Sequence, residues 1–220
     1  YDLANFAGAY GDVYNPVALL LRPAITSPTT SVNANLFLEY DIIDGLTYRS
    51  SFAYNTSQNN FKRFLPIRPE LGRTNLTNSL WQRTTFSSNW IWDNQISYDK
   101  SFGDHKINAT AIYSAQFHEL ESYSVYGEGF SSESPSNQYI GNASTFDPPE
   151  SSVSERALLS MIARATYDYK GKYFVTGSIR RDESSRLHPD NQVDYFSAVS
   201  AGWRISNEDF FNVKGIDDLK

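Results

Sequence analysis

Residues 33–55 read NANLFLEYDIIDGLTYRSSFAYN, and the fold turns on their periodicity. Ala34, Leu36, Leu38, Tyr40 and Ile42 fall in one phase, Asn33, Asn35, Glu39 and Asp41 in the other. That two-residue repeat is a strand with one apolar face. Asp44-Gly45 supplies a dipeptide suited to the positive φ angles of a tight hairpin. Beyond it, Leu46, Tyr48, Phe52 and Tyr54 alternate with Thr47, Arg49, Ser51 and Asn55, so two strands pair here.

The same plan recurs along the chain. From Trp81 to Tyr98 the apolar phase holds Phe86, Trp90, Trp92, Ile96 and Tyr98; a turn at Gly103 follows, and Ile107, Ala109, Ala111, Tyr113, Ala115 and Phe117 return. A third hairpin runs through Ala157, Leu159, Met161, Ala163, Ala165 and Tyr167, turns at Lys170-Gly171, and returns through Tyr173, Val175 and Ile179. Tyr195, Val199, Ala201, Trp203 and Ile205 suggest a seventh strand. Residues 155–165 also fit a helical stripe through Leu158, Met161, Ile162 and Ala165; their hairpin context favours a strand. Ser206, with Asp209 three residues on, suggests a short capped helical turn.

The connections alternate in length. Tight turns at Asp44, Gly103 and Gly171 contrast with long links over 58–80, 127–154 and 183–194, which carry Pro66, Pro69, Pro135, Pro148 and Pro149. Short turns on one side and long loops on the other are the pattern of outer-membrane barrels. Alternation over 81–98, and over 107–117 with polar-aromatic continuation to Tyr126, outruns the roughly 3 to 10 residues of soluble strands. Tyr40, Tyr48, Tyr98, Tyr167, Tyr169 and Tyr173 cluster near the tight turns in the apolar phase, as an interfacial aromatic girdle requires.

Charge placement agrees. A cation on the lipid face near the bilayer midplane costs about 2–4 kcal/mol, and Arg49, Arg164, Arg180 and Arg204 all fall in the polar phase. Arg181 falls in the apolar phase, but about 19 Å along the membrane normal from Tyr173, near the far interface.

Composition bounds the alternatives. The 220 residues contain no Cys, which excludes disulfide scaffolds, Cys-based zinc sites and thiol enzymes. A net charge of −6 without a basic stripe argues against a nucleic-acid partner. The longest apolar run, Val17 to Leu21, is far below the roughly 20 residues of a membrane helix. A mean hydropathy of −0.48 suits a barrel as well as a soluble protein, because barrel strands are apolar only at alternate positions. Tyr1 opens the chain without initiator or signal segment, so a piece of a longer chain is expected.

These segments carry a family resemblance. Tyr169-Lys170-Gly171-Lys172-Tyr173, Ser178-Ile179-Arg180-Arg181-Asp182, Ser184-Ser185-Arg186, Tyr195-Phe196 and Ala201-Gly202-Trp203-Arg204-Ile205 together closely resemble the SusC/RagA-type TonB-dependent outer-membrane transporters of Bacteroidetes. Asn15-Pro16, and Glu39-Tyr40 before Asp44-Gly45-Leu46, look like earlier barrel segments of that family. Glu183, Leu187 and Ser197 depart from its common Gly, Phe and Pro, which puts ligand contacts rather than family in question. The resemblance implies an all-β fold: an antiparallel transmembrane barrel segment of about seven strands, with short periplasmic turns and long extracellular loops, within a barrel of about 22 strands. All of 1–220 would belong to the barrel domain, with plug, TonB box and remaining strands outside it. An open arc cannot sit in a membrane alone, because its edge backbone groups would be unpaired in hydrocarbon.

The resemblance further implies an importer of oligosaccharide or peptide in a Gram-negative outer membrane, energised by TonB through the plug and partnered by a SusD-like surface lipoprotein. It implies no cofactor and no enzymatic activity. His105, His118 and His188 lie far apart without a second ligand at metal spacing, and His118 with Glu119 and Glu121 reads as an exposed strand extension. Asp182 with Glu183, and Asp190 with Asp194, lack a calcium-loop pattern. Of the tryptophans, Trp90, Trp92 and Trp203 lie in the apolar phase and read as anchors.

Substrate contacts must come from the lumen phase or the long loops. By position the candidates are Glu39, Arg49, Asp93, Gln116, Tyr126 and Arg180, together with the loop aromatics Phe61, Phe64, Phe130, Tyr139 and Phe146. Two other readings are a soluble secreted β-sandwich that binds carbohydrate and a passive porin. The sandwich demands that the apolar phase be packed against a second sheet, the barrel that it face lipid.

Overall fold

A computed structural model describes residues 23–67, 76–213 and 215–220. The apolar run over 17–21, Asn15-Pro16 and Pro69 lie outside these. Nine strands form one sheet: β1 (Ala24–Thr26), β2 (Thr29–Ile43), β3 (Leu46–Leu65), β4 (Ser79–Phe102), β5 (His105–Glu128), β6 (Thr145–Phe146), β7 (Glu150–Tyr169), β8 (Tyr173–Ser184) and β9 (Val193–Trp203). The order is β1-β3-β4-β5-β7-β8-β9, with β2 also on β3 and β6 also on β5, so the sheet is open. The seven expected strands are all present; β1 precedes β2 on the same neighbour, and β6 is a two-residue addition within a loop.

The strands are longer than alternation alone indicates. β3 runs to Leu65 and β7 begins at Glu150, so the long links shrink to 66–78, 129–149 and 185–192. Phe61, Phe64 and Tyr126, expected in loops, therefore stand on strands, and Phe146 lies on β6. Residues 155–165 are strand throughout, held by β8 on a ladder from Leu158↔Ser184 to Tyr169↔Tyr173. Backbone pairing to a neighbour overrides the helical propensity of that segment. The expected helical turn at 206–209 is instead a 3-10 turn over Ile205–Asn207, and β9 ends at Trp203. Ser206 does not cap it, because its hydroxyl donates to Asp218 Oδ1 at 3.0 Å.

The chain divides into two compact units. A turn unit comprises 33–55, 88–118 and 155–220; a loop unit comprises 1–32, 56–87 and 119–154. In the turn unit, Tyr167, Val175 and Ala201 stand side by side, as do Ala163, Ile179 and Ser197. Residues paired across a ladder share a face, so the apolar phases of three strands merge into one surface. That surface is bare: Leu36 is 74%, Trp92 45% and Val199 82% exposed. The opposite face aligns Arg164, Ser178 and Ala198, and Thr166, Thr176 and Ser200.

All three tight turns use left-handed backbone, the one at Gly103 with φ of 57°. Gly45 has φ of 84°, and a Cβ there would lie 2.4 Å from the Asp99 carbonyl oxygen, to which chain the turn is tied by the Asp99 N–H on Gly45 O at 2.8 Å. Lys170 and Gly171 both take positive φ, 57° and 64°, and Asp168 Oδ1 accepts the Gly171 N–H at 2.8 Å.

The loop unit holds the buried apolar cluster, Phe64, Leu80 and Phe130, with the two Phe rings edge-on at 5.4 Å. Buried Asn78 fixes it: its Oδ1 accepts the Phe130 N–H at 2.6 Å and its Nδ2 donates to the Phe130 carbonyl at 3.0 Å. One amide thus satisfies both backbone groups of a buried loop residue.

Candidate ligand-facing wall and its aromatic band

Near the tight turns an unbroken series of rings crosses the apolar face. Phe102 stacks on His105 at 5.6 Å, His105 meets Tyr169 at 4.9 Å, Tyr169 meets Tyr173 at 6.4 Å, Tyr173 meets Trp203 at 6.5 Å, and Trp203 meets Phe210 at 6.4 Å. Of the six tyrosines expected in a band, Tyr169 and Tyr173 stand in this series and Tyr167 meets His105 at 5.8 Å, while His105, Trp203 and Phe210 are additions to it. His105 also hydrogen-bonds the Tyr167 hydroxyl. Among the described residues no cluster of potential metal ligands occurs.

Polar atoms on the apolar face are paired with aromatic tips. Trp92 Nε1 donates to Ser50 Oγ at 3.1 Å, and the Tyr48 hydroxyl donates to Asn94 Oδ1 at 2.7 Å. In hydrocarbon an unpaired hydroxyl or amide costs several kcal/mol, roughly 2–7 on transfer scales, so these bonds make the face compatible with lipid. Arg181 is paired across the ladders with Met161 and Tyr195, and its Nη2 donates to Glu183 Oε2 at 2.7 Å. The one cation singled out in the apolar phase therefore carries its own counter-ion.

The six candidate ligand residues do not converge on one point. Glu39 and Arg49 meet at 3.6 Å, with the Arg49 guanidinium 4.7 Å over the Phe37 ring. Arg180 Nε donates to Asp182 Oδ1 at 2.7 Å, and Ser160 Oγ donates to the same oxygen at 2.6 Å. β3 and β8 are four strand steps apart, about 19 Å at ~4.8 Å per step, so these pairs are separate. Asp93 and Gln116 are half-buried on β4 and β5. Tyr126 lies in the loop unit, where its hydroxyl donates to Glu128; that bond pushes the phenol's pKa up.

Below β9 a carboxylate organises the segment that follows. Glu208 accepts from the Tyr173 hydroxyl at 2.7 Å, from Lys172 Nζ at 2.9 Å and from Trp203 Nε1 at 3.0 Å. These donors, the Tyr173 hydroxyl first, lower its pKa to about 2. Sequence reading missed this residue, because its partners lie on β8 and at the end of β9 and leave no local pattern.

Comparison with known proteins agrees with this geometry. No family model matches the chain. TonB-dependent receptor P3 of Formosa agariphila is 27% identical over 201 residues, covering 90% of this chain and 20% of the relative. TonB-dependent receptor SusC of Bacteroides thetaiotaomicron is 33% identical over 69 residues, 31% of this chain and 7% of SusC. The RagAB peptide transporter structure superposes with a TM-score of 0.79 at 21% identity, over 87% of this chain and 21% of that one. The chain spans about a fifth of the length of the Formosa relatives. The chain is thus similar, over most of its length, to a segment of TonB-dependent receptors, and its open antiparallel sheet superposes on part of the RagAB transporter.

Proposed function

We propose that residues 1–220 belong to the barrel domain of a SusC-like outer-membrane importer and supply part of its wall and outer loops. In this reading glycans or peptides cross with the help of a SusD-like surface lipoprotein, and TonB acts through a plug elsewhere in the protein. No covalent chemistry is assigned to the chain. The observation that carries the reading is the merged apolar face of β7, β8 and β9, bordered by stacked rings from Phe102 to Phe210. A soluble sandwich would cover that face, yet among the described residues every strand belongs to a single sheet.

The polar face fits a passage wall. Its ion pairs, Glu39 with Arg49 and Arg180 with Asp182, present fixed charges along it. The test is carried out in cells making the full-length receptor. Fractionation should place it in the outer membrane, and nutrient uptake should fall on deleting either the receptor or TonB. Recovery as a soluble protein, or uptake unchanged without TonB, would overturn the reading; the latter outcome is what a passive porin gives.

A further inference from the structure

Trp81 is the tryptophan that does not join the apolar phase, and the anchoring role given to Trp90, Trp92 and Trp203 leaves it unexplained. Phe64 and Leu80 are buried beneath Phe130. Successive strand residues face opposite ways, so Arg63, Phe61 and Trp81 stand on the face which that core does not occupy. There Phe61 and Trp81 meet edge-on at 5.0 Å, with ring planes at 61°, and both are half-buried. The Arg63 guanidinium lies 5.3 Å from the centre of the Trp81 ring, and its Nε is buried with no hydrogen-bond partner. A buried donor left unpaired is costly, so an acceptor brought to this position would be bound favourably.

The neighbouring strand completes the arrangement. The Gly129 N–H bonds to the Asn78 carbonyl at 3.0 Å, which sets a β4–β5 register with Trp81 opposite Tyr126. Tyr126 holds Glu128 beside it on the same face. Two angled rings, a third ring across the ladder, a guanidinium over the Trp81 ring with an unpaired Nε–H, and one carboxylate therefore share a small area of the loop unit.

We propose that Phe61, Trp81 and Tyr126 form a stacking platform for one pyranose ring of a transported glycan, with Arg63 and Glu128 binding its ring oxygens and hydroxyls. The chemistry is matched on both sides: a pyranose offers a C–H face to aromatic carbon and a rim of hydroxyls to charged hydrogen-bonding groups. An extended peptide would use regularly spaced backbone pairing instead, and rings set at an angle across two strands do not offer it. This inference rests on the glycan branch of the importer reading.

The test uses the purified full-length receptor in detergent, titrated calorimetrically with hexasaccharides prepared from starch, laminarin and alginate, and with a pool of decapeptides. The parent protein is expected to bind at least one hexasaccharide. Trp81→Ala should weaken that binding by about tenfold or more, the equivalent of ~1.4 kcal/mol. Trp81→Phe should retain most of the affinity while abolishing the ligand-induced change in tryptophan emission. Heat-modifiable migration on gels reports assembly; should Trp81→Ala fail to assemble, Phe61→Leu and Arg63→Gln are each expected to weaken binding severalfold. Hexasaccharide binding undiminished in the assembled variants overturns the platform and leaves the glycan reading intact. A parent protein that binds the peptides and no hexasaccharide overturns the glycan reading and the platform with it.

Discussion

The turn unit and the loop unit use the same kinds of residue in opposite ways. In the turn unit Leu36, Val199 and Ile179 stand bare on one side of the sheet, while in the loop unit Phe64 and Leu80 are almost wholly buried beneath Phe130. On the outer-membrane reading, both are stable solutions, in different solvents. A face of alternating apolar side chains needs no protein cover where lipid supplies it, whereas a loop in water must bury its apolar groups and satisfy its backbone itself, as Asn78 does for Phe130.

The sharpest way to break this contrast is to remove the loop unit's core. Phe130→Ala should cost about 3–5 kcal/mol of local loop stability. Amide exchange at 129–130 should accelerate while the barrel's heat-modifiable migration is unchanged; a collapse of the whole barrel would show that the two regions are not energetically distinct.

Next in size is a charge placed on the bare face. Val199, paired with Gly177, lies about 9 Å along the membrane normal from Trp203, so Val199→Arg should cost about 2–4 kcal/mol of folding free energy in vesicles. Ser200→Arg, one residue away on the polar face, should cost little. Urea titration of both variants in lipid checks the difference, and equal costs would mean that the two faces see the same medium.

The smallest expected effect is a pH dependence at the turn end. Glu208 has a folded pKa near 2 against an ordinary value of 4.5, so its contribution is complete above the ordinary value and is lost as pH falls from about 4.5 towards 2. The emission of Trp203, which donates to this carboxylate, should change over that window and be flat in Glu208→Gln. A response centred above pH 5 would assign it to another group.

Legibility in the sequence follows the range of the interactions. The strands over 33–42, 46–55 and 157–167, the turns at Gly45 and Gly171, and the apolar phase were readable because each depends on neighbours within a few residues. The aromatic band was readable in part: Tyr169 and Tyr173 flank a turn, but His105, Trp203 and Phe210 join through ring contacts across strands. The core of the loop unit was not readable. Asn78 and Phe130 are 52 positions apart, and no periodic pattern marks an amide that serves a distant backbone. Strand ends were underestimated where polar residues continue the ladder, as from Asn55 to Leu65. Of the candidate ligand residues, Glu39, Arg49, Asp93, Gln116 and Arg180 lie on strands as read, whereas Tyr126, read as a loop residue, lies on β5; their mutual pairing depends on register, which alternation alone leaves free.

The most direct test of the account is a scan of oxygen and nickel-chelate accessibility along β9. Residues 1–220 hold no native cysteine, so single substitutions from Tyr195→Cys to Trp203→Cys, in a full-length receptor cleared of any cysteine elsewhere, spin-labelled and reconstituted in vesicles, report one site each. The account predicts a two-residue alternation, with labels at 197, 199 and 201 favouring oxygen from the lipid and labels at 196, 198 and 200 favouring the aqueous chelate. Chelate access at 199 equal to that at 200, or loss of the alternation, would contradict it.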